Sequence, residues 1–518
     1  MQIWGFDQLL GALYVQVPLR MTVVRLAPAD APPSLLVFAP ISPTEVRPPP
    51  CAARVRARRG AGVTRRGAQE CLRLVRELEA QHGPVRNIVL SSPAIEHKAP
   101  PLEPLQRPRR RPLRGADACC GARARGQVAA GPFARNFPEA QLWVAPDQYS
   151  FPPGLDNLGL LGATQLFWGL RPRPLPPSAA GTPWVGEMEH ALLGPLRSRG
   201  GDAPGLFEDV AMVHRRSRTL LVTDLVQTVP REIPAVLADD PRALLFHARD
   251  DAFARVEDSP ATRQRGWERI ALFSLFFQPG GVDVVPWAQA IPDAARSQMG
   301  ELGWGGLFPF TWRPRAGPHP PEKAYYKESF EALAGECFVP AVLQSLILDR
   351  EPARVLAFAD AVARWDFAQI VPAHLGAPIP AGPREWRRAF AFLEDGDAEF
   401  PGDLERPPLA GDARFLRDIS QSLADKAPPP PPPPAAPGAR AEAARARRGW
   451  SRRRTRRSRL RGSAAACAAA YRLGVALWNT QPALDSPQPT PQVLTRGVRA
   501  GRPHRAPATA GGRSVTSR

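Results

Sequence analysis

The chain has 518 residues, enough for two or three average domains or for one large domain with appendages. Its 63 prolines are more than twice the usual share of about 5%, and they concentrate in segments that cannot build a core, which favours one domain. The net charge of +19 would ordinarily indicate a nucleic acid or an anionic membrane as partner. That charge is confined to residues 46–69, 99–130 and 427–518, which carry +7, +5 and +16, so the remaining chain carries −9. The globular part is therefore acidic.

Cysteine usage and hydropathy predict a protein without a membrane span in a reducing compartment. Only Cys71 and Cys337 lie outside the three basic segments, and no CxxC pattern occurs. The longest apolar stretch, Ile270 to Phe277, is far shorter than the roughly 20 residues that a membrane-spanning helix needs. The first nineteen residues lack the cationic start of a secretory signal.

Short apolar runs and helical spacing alternate along the chain, which favours a layered α/β fold. Strands are predicted at 21–26, 34–38, 86–90, 141–146, 207–214, 218–223 and 368–371. Helices are predicted at 70–82, 263–277, 328–348, 352–365 and 383–393.

The basic segments 46–69 and 99–130 interrupt this pattern and have no apolar periodicity. We interpret them as translated intron or mis-framed sequence, with lineage-specific loops as the alternative. Beyond a domain of residues 1–400 we predict a linker at 401–426. From 427 to 518 we predict a disordered Pro/Arg-rich tail, since it opens with consecutive prolines and continues in arginine-rich low complexity.

Several stretches carry a family resemblance, among them ECLRLVRELEAQHGPVRNIVL, GPFARNFPEAQLWVAPDQYSFP, RGWERIALFSLFFQPGG and WDFAQIVPAHL. They resemble the family "domain of unknown function 4336", itself similar to the metallo-β-lactamase superfamily, and similar stretches extend from Trp4 to about Asp395. The resemblance implies an αββα sandwich of two mixed sheets flanked by helices, here with disordered basic insertions and tail. Plant and algal members of the family allow a plastid location, but this sequence specifies no compartment.

Metallo-β-lactamase-type hydrolases hold one or two metals with an HxHxDH motif, a later His, an Asp that closes a strand and a final His. The bound metal lowers the pKa of its water to about 7, which supplies hydroxide for attack. Aligned with this motif, Ser92 and Ala94 replace the first two histidines, so the first metal site is lost.

Four ligand-capable residues remain at the positions of the second metal site. They are Glu96, His97, Asp224 and His374. Two carboxylates and two imidazoles could hold one Zn²⁺, Fe²⁺ or Mn²⁺, although Glu96 is one methylene longer than the expected Asp. His190 is a candidate for the intermediate His, at a poor spacing from Asp224.

Each of these residues also has a purely structural interpretation. Asp224 can cap the turn after its strand, His374 can hydrogen-bond a loop carbonyl, and His97 can be solvated beside Lys98. Because Ser92 and Ala94 have already removed one site, the sequence favours the structural interpretation. For His214 and His247 as well, the sequence favours a structural role over a functional one.

The leading hypothesis is a degenerate metallo-hydrolase-fold protein that binds an unknown small molecule or protein without catalysis and carries no metal. The first alternative is a mononuclear metal-dependent hydrolase that uses Glu96, His97, Asp224 and His374. The second is an interaction protein that binds an acidic partner or RNA through its arginine-rich tail.

Overall fold

The computed structural model describes residues 3–12, 15–41, 64–92, 130–146, 172–196, 207–313, 325–425 and 494–497, apart from the single positions 239, 298, 303, 395, 397 and 398. Strands in these ranges are β1 (Ile3–Ala12), β2 (Val15–Leu26), β3 (Ser34–Phe38), β4 (Val85–Leu90), β5 (Gln141–Val144), β6 (Arg173–Pro174), β7 (Met188–Leu196), β8 (Phe207–His214), β9 (Thr219–Val222), β10 (Val282–Val284), β11 (Phe310–Trp312), β12 (Gln369–Pro372) and β13 (Leu494–Gly497). Helices are α1 (Thr64–His82), α2 (Ala130–Asn136), α3 (Ala235–Ala238), α4 (Arg242–Ala248), α5 (Pro260–Phe276), α6 (Trp287–Ser297), α7 (Tyr325–Leu333), α8 (Ala341–Leu346), α9 (Pro352–Ala363), α10 (Pro383–Arg388), α11 (Leu409–Asp412) and α12 (Arg414–Asp425).

The first sheet has the strand order β13-β1-β2-β3-β4-β5-β6. The pairs from β13 to β3 are antiparallel, and the pairs from β3 to β6 are parallel. Only two residues separate β1 from β2, a length that permits an antiparallel hairpin, whereas the parallel step from β3 to β4 requires a crossover that includes α1. This sheet is therefore mixed, and β3 and β4 end at the same edge.

The second sheet has the order β12-β9-β8-β7 and is also mixed. β12 runs parallel to β9, while β7, β8 and β9 form an antiparallel meander. The pairing of β12 with β9 places Pro372 beside Val222. The residues that follow these two strands therefore leave the sheet side by side.

The two sheets share a core because successive side chains on a strand point to opposite faces. Val24 of β2 packs between the sheets with Met212 and Val371 of the second sheet. The preceding residue, Val23, points the other way and packs with Val75 of α1. One face of the first sheet is thus covered by the second sheet, and the opposite face by α1 and α2.

Helices also cover the outer face of the second sheet. Phe358 of α9 and Trp386 of α10 pack with Leu220 and Ile370 in one buried cluster. A further cluster joins α4, α5, α7 and α8, and Gly266 of α5 lies against the backbone of Leu244 in α4. No helix among the described residues is long and apolar enough to cross a membrane.

The predicted class, α/β with two mixed sheets and helices, is confirmed. Most predicted strands coincide with observed ones, but β1 has no counterpart in the prediction and β2 begins six residues before the predicted Met21. The helix predicted over 328–348 is divided, because Gly335 adopts a positive φ of 85° and Pro340 precedes α8. The helix predicted over 383–393 ends at Arg388.

The predicted linker at 401–426 contains α11 and α12, and it is packed rather than extended. Leu404, Leu409 and Leu416 are buried in the cluster formed by the helices around α5. The Pro407-Pro408 pair and the many charges gave this segment a linker-like composition, while Leu404, Leu409 and Leu416 are buried in the core. Packed structure therefore continues past residue 400.

The basic segments lie almost entirely outside the described residues. At 46–69 the exception is Thr64 to Gln69, which form the first turns of α1, and at 99–130 it is Ala130, which begins α2. Of the tail, only β13 is described, as a strand beside β1.

Candidate functional site

Three polar residues that the sequence analysis singled out lie together where strands of both sheets end. Ser92 follows β4 in the first sheet, Asp224 follows β9, and His374 follows β12 in the second sheet. Asp224 and His374 come together because β9 and β12 are parallel neighbours, with each residue two positions beyond the paired Val222 and Pro372. Loops beyond the carboxyl ends of strands are common places for functional groups.

The Asp224 carboxylate is bound from two sides by protein side chains. The Ser92 hydroxyl donates a hydrogen bond of 2.9 Å to Oδ2 of Asp224. Nε2 of His374 lies 2.9 Å from Oδ1 of the same carboxylate. One residue earlier in each chain segment, the hydroxyl groups of Ser91 and Thr223 also form a hydrogen bond. The two sheets are therefore tied together at this edge by a pair of side-chain contacts.

The cluster is nearly closed to solvent. Ser92 is fully buried, and the side chains of His374 and Asp224 are 9% and 14% exposed. A buried carboxylate is costly unless it is hydrogen-bonded, so these contacts compensate for the loss of water.

The loop that carries His374 is held by the first sheet. The backbone N–H of Arg20 in β2 donates to the carbonyl oxygen of Ala373 at 2.6 Å, and its guanidinium reaches the carbonyl oxygens of Pro372 and Leu375. Leu375 has a left-handed φ of 55°, a costly conformation for a branched side chain that persists only where the surroundings fix it. Arg20 is therefore a positioning residue for His374.

The guanidinium of Arg20 forms a bidentate salt bridge with Asp7 of β1. Nε and Nη2 of Arg20 lie 2.8 and 2.9 Å from the two carboxylate oxygens of Asp7. This geometry fixes the plane of the guanidinium and directs its remaining N–H groups to the His374 loop.

A second carboxyl group, that of Asp209 in β8, is buried close to Asp224 and interacts with its charge. Burial, and then the negative charge of Asp224, raise the pKa of Asp209 well above its ordinary value. The N–H of Val210, the backbone of Asp224 and the Thr223 hydroxyl oppose this shift by hydrogen bonding. The Asp209 carboxyl therefore keeps its proton to a higher pH than an ordinary Asp does. Sequence inspection gave no reason to single it out, because an Asp inside a strand resembles any polar outward-facing residue.

The structure brings together Asp224 and His374, two of the four predicted metal ligands. Glu96 and His97 lie outside the described residues, as does Ala94. Ser92, whose predicted significance was the loss of a ligand, instead binds Asp224 directly.

The other histidines singled out from the sequence have structural surroundings. The ring of His190 donates from Nε2 to the carbonyl oxygen of Pro176 at 2.7 Å and accepts at Nδ1 from the indole of Trp184 at 3.4 Å. Burial lowers the pKa of His190, in agreement with this neutral tautomer. His214 lies beside the start of β9, at the opposite end from Asp224, and His247 packs among the rings of the α4–α5 cluster.

The described residues do not fit a complete metal centre. A catalytic zinc site needs three protein ligands with an open fourth position. Asp224 and His374 supply two, and no group of three or more ligand-capable side chains occurs in the part of the chain that the structure describes.

The chain belongs to the family described as Domain of unknown function (DUF4336), whose model matches residues 1–48 and 123–392. The matched residues include Asp224 and His374 and leave out the segment that carries Ser92, Glu96 and His97. No curated protein matches the chain.

Proposed function

We propose that this protein is a metallo-β-lactamase-like scaffold that has lost its metal chemistry and binds a small molecule or protein without catalysis. The single observation that carries the proposal is the double occupation of the Asp224 carboxylate. Ser92 binds one of its oxygens and His374 lies against the other. In a metal centre these lone pairs would face the metal.

The arrangement of layers supports the metallo-β-lactamase part of the proposal. Two mixed sheets share a core, with helices on their outer faces. The Asp224–His374 pair lies at the carboxyl ends of two adjacent parallel strands, where the superfamily carries its bridging Asp and final His.

Metal content of the full chain tests the proposal directly. Protein purified from medium supplemented with zinc, iron and manganese is expected to contain less than about a tenth of an equivalent of each metal, because a carboxylate and one imidazole alone bind divalent ions weakly. The Asp224→Asn and His374→Ala variants serve as matched controls and should contain the same small amount. A full equivalent in the wild type that both variants lose would overturn the proposal.

The second candidate is a mononuclear metal-dependent hydrolase, favoured by the closeness of one carboxylate and one imidazole at a single sheet edge. Its remaining ligands would be Glu96 and His97. In that case about one equivalent of Zn²⁺, Fe²⁺ or Mn²⁺ should be bound, and His97→Ala should remove it as completely as His374→Ala does. Retention of the metal by the His97 variant would contradict this candidate.

A further inference from the structure

The C-terminal helices α11 and α12 close over the helical cluster around α5. Leu409 of α11 and Leu416 of α12 are buried against Phe338 and neighbouring apolar side chains. The carboxamide of Gln344 in α8 donates to the carbonyl oxygen of Gly402 at 3.0 Å, which fixes the approach to these helices. Apolar contacts therefore hold most of this segment in place.

One acid, Asp412, interrupts this apolar contact. It is the last residue of α11 and is only 1% exposed. Its Oδ1 accepts a hydrogen bond of 2.7 Å from the backbone N–H of Gly280, in the turn between α5 and β10. The buried hydroxyl of Ser329, on α7, also interacts with this carboxyl and lowers its pKa. The side chain thus stands where three parts of the fold meet.

Burial dominates the protonation of this carboxyl. It raises the pKa of Asp412 to about 6, while the Ser329 hydroxyl and the Gly280 N–H act in the opposite direction. Burial favours the neutral acid because a charge loses more hydration than a neutral group does.

Two arginines of the surrounding elements have other partners. Arg313 binds the carbonyl oxygen of Gly280 and the carboxylate of Asp283. Arg417 of α12 binds the carbonyl oxygens of Leu404 and Ala410 and the carboxylate of Glu405. On α7, Lys327 and Glu328 flank Ser329 at half-buried positions.

We propose that Asp412 is a pH-sensitive latch that fastens α11 and α12 to the helical cluster when its carboxyl is protonated. At low pH the neutral acid fits the apolar contact and keeps its bond to Gly280. As the pH rises, a proton leaves to solvent and the contact must either hold a buried charge or open. Helices α11 and α12 are therefore docked in mild acid and detach more often at neutral pH.

The size of the effect follows from the difference between the docked and released states. A released Asp412 would have a pKa near the ordinary value of 3.8, whereas burial raises the pKa of the docked residue to about 6. Because the pKa of Asp412 is raised in the docked state, docking is most favourable below both pKa values. This advantage is lost as the pH rises from the lower value to the higher one. Between pH 5 and pH 7 the docking equilibrium should weaken by about tenfold.

Hydrogen exchange of the full chain, followed by mass spectrometry, measures this opening. After correction for the intrinsic pH dependence of exchange, peptides covering 409–425 should open about tenfold more often at pH 7 than at pH 5. Asp412→Asn keeps the acceptor for Gly280 without the charge, so its peptides should be equally protected at both values. Asp418→Asn, on an exposed position of α12, is the matched control and should behave as the wild type.

Two outcomes would overturn the latch. The first is equal protection of wild-type peptides 409–425 at pH 5 and pH 7. The second is an Asp412→Asn variant that keeps the full pH difference. The wild-type profile between pH 4.5 and pH 7.5 decides the question by itself if the variant fails to fold, because a latch requires a transition with its upper limit near pH 6 and a flat profile contradicts it.

Discussion

The hydroxyl of Ser92 donates a 2.9 Å hydrogen bond to Oδ2 of Asp224 and so joins the end of β4 in one sheet to the end of β9 in the other. In the proposed metallo-β-lactamase-like arrangement, Ser92 would take the position of the first histidine. In that arrangement, the residue that replaces a ligand would also be the donor to the Asp224 carboxylate.

Removal of this hydroxyl should destabilise the fold. Ser92→Ala leaves an oxygen of a largely buried carboxylate without its donor, which we expect to lower the free energy of unfolding by about 1–3 kcal/mol. Urea unfolding followed by tryptophan fluorescence measures the change. Ser178→Ala, at an exposed position, is the matched control and should change the free energy by less than about 0.5 kcal/mol. Equal effects of the two substitutions would mean that the Ser92 contact contributes nothing.

Asp224 and His374 should be energetically coupled. Because Nε2 of His374 lies 2.9 Å from Oδ1 of Asp224, a double-mutant cycle with Asp224→Asn and His374→Gln should give a coupling energy of about 1–3 kcal/mol. Unfolding of the wild type, both single variants and the double variant in urea supplies the four values. Additive single effects, within about 0.3 kcal/mol, would show that the pair does not interact in solution.

Arg20 should contribute more to the free energy of unfolding than an exposed arginine of the same sheet. Arg20→Ala removes the contact with Asp7 and the guanidinium bonds to the carbonyl oxygens of Pro372 and Leu375, for an expected loss of about 3 kcal/mol in the free energy of unfolding. Arg86, whose pair with Glu139 is more than half exposed, is the control, and Arg86→Ala should cost less than about 1 kcal/mol. Chemical denaturation of both variants gives the comparison. A loss at Arg20 no larger than that at Arg86 would exclude the positioning role.

Gly266 should tolerate no side chain. A Cβ at this position would lie 2.0 Å from the carbonyl oxygen of Leu244, so Gly266→Ala must separate α4 from α5. We expect a loss of about 2–3 kcal/mol in the free energy of unfolding, as for other overpacked cores. Gly300→Ala is the matched control, because a Cβ there meets nothing within 4 Å. Thermal unfolding curves of the two variants should differ clearly, and coincident curves would refute the close approach of the helices.

Local sequence pattern predicted the regular elements where apolar spacing was clear. Helical spacing around Leu72 and Val75 identified α1, and the apolar runs at 34–38 and 86–90 identified β3 and β4. It failed where tertiary contacts decide the conformation. β1 has no alternating pattern and forms because β2 pairs with it over all ten residues. The segment at 401–425 has a linker-like composition, and it is ordered by the burial of Leu404, Leu409 and Leu416.

The sequence by itself determined the class of fold and the confinement of positive charge to three segments, and it singled out Asp224 and His374 as candidate ligands. These follow from residue type, periodicity and the motif at the strand ends. Only the tertiary structure decided that Ser92 binds Asp224, that Asp209 lies buried behind it and that Arg20 holds the loop of His374. The contacts of Ser92 and Arg20 join residues far apart in the chain, and all three depend on strand register and sheet packing, which no local pattern encodes.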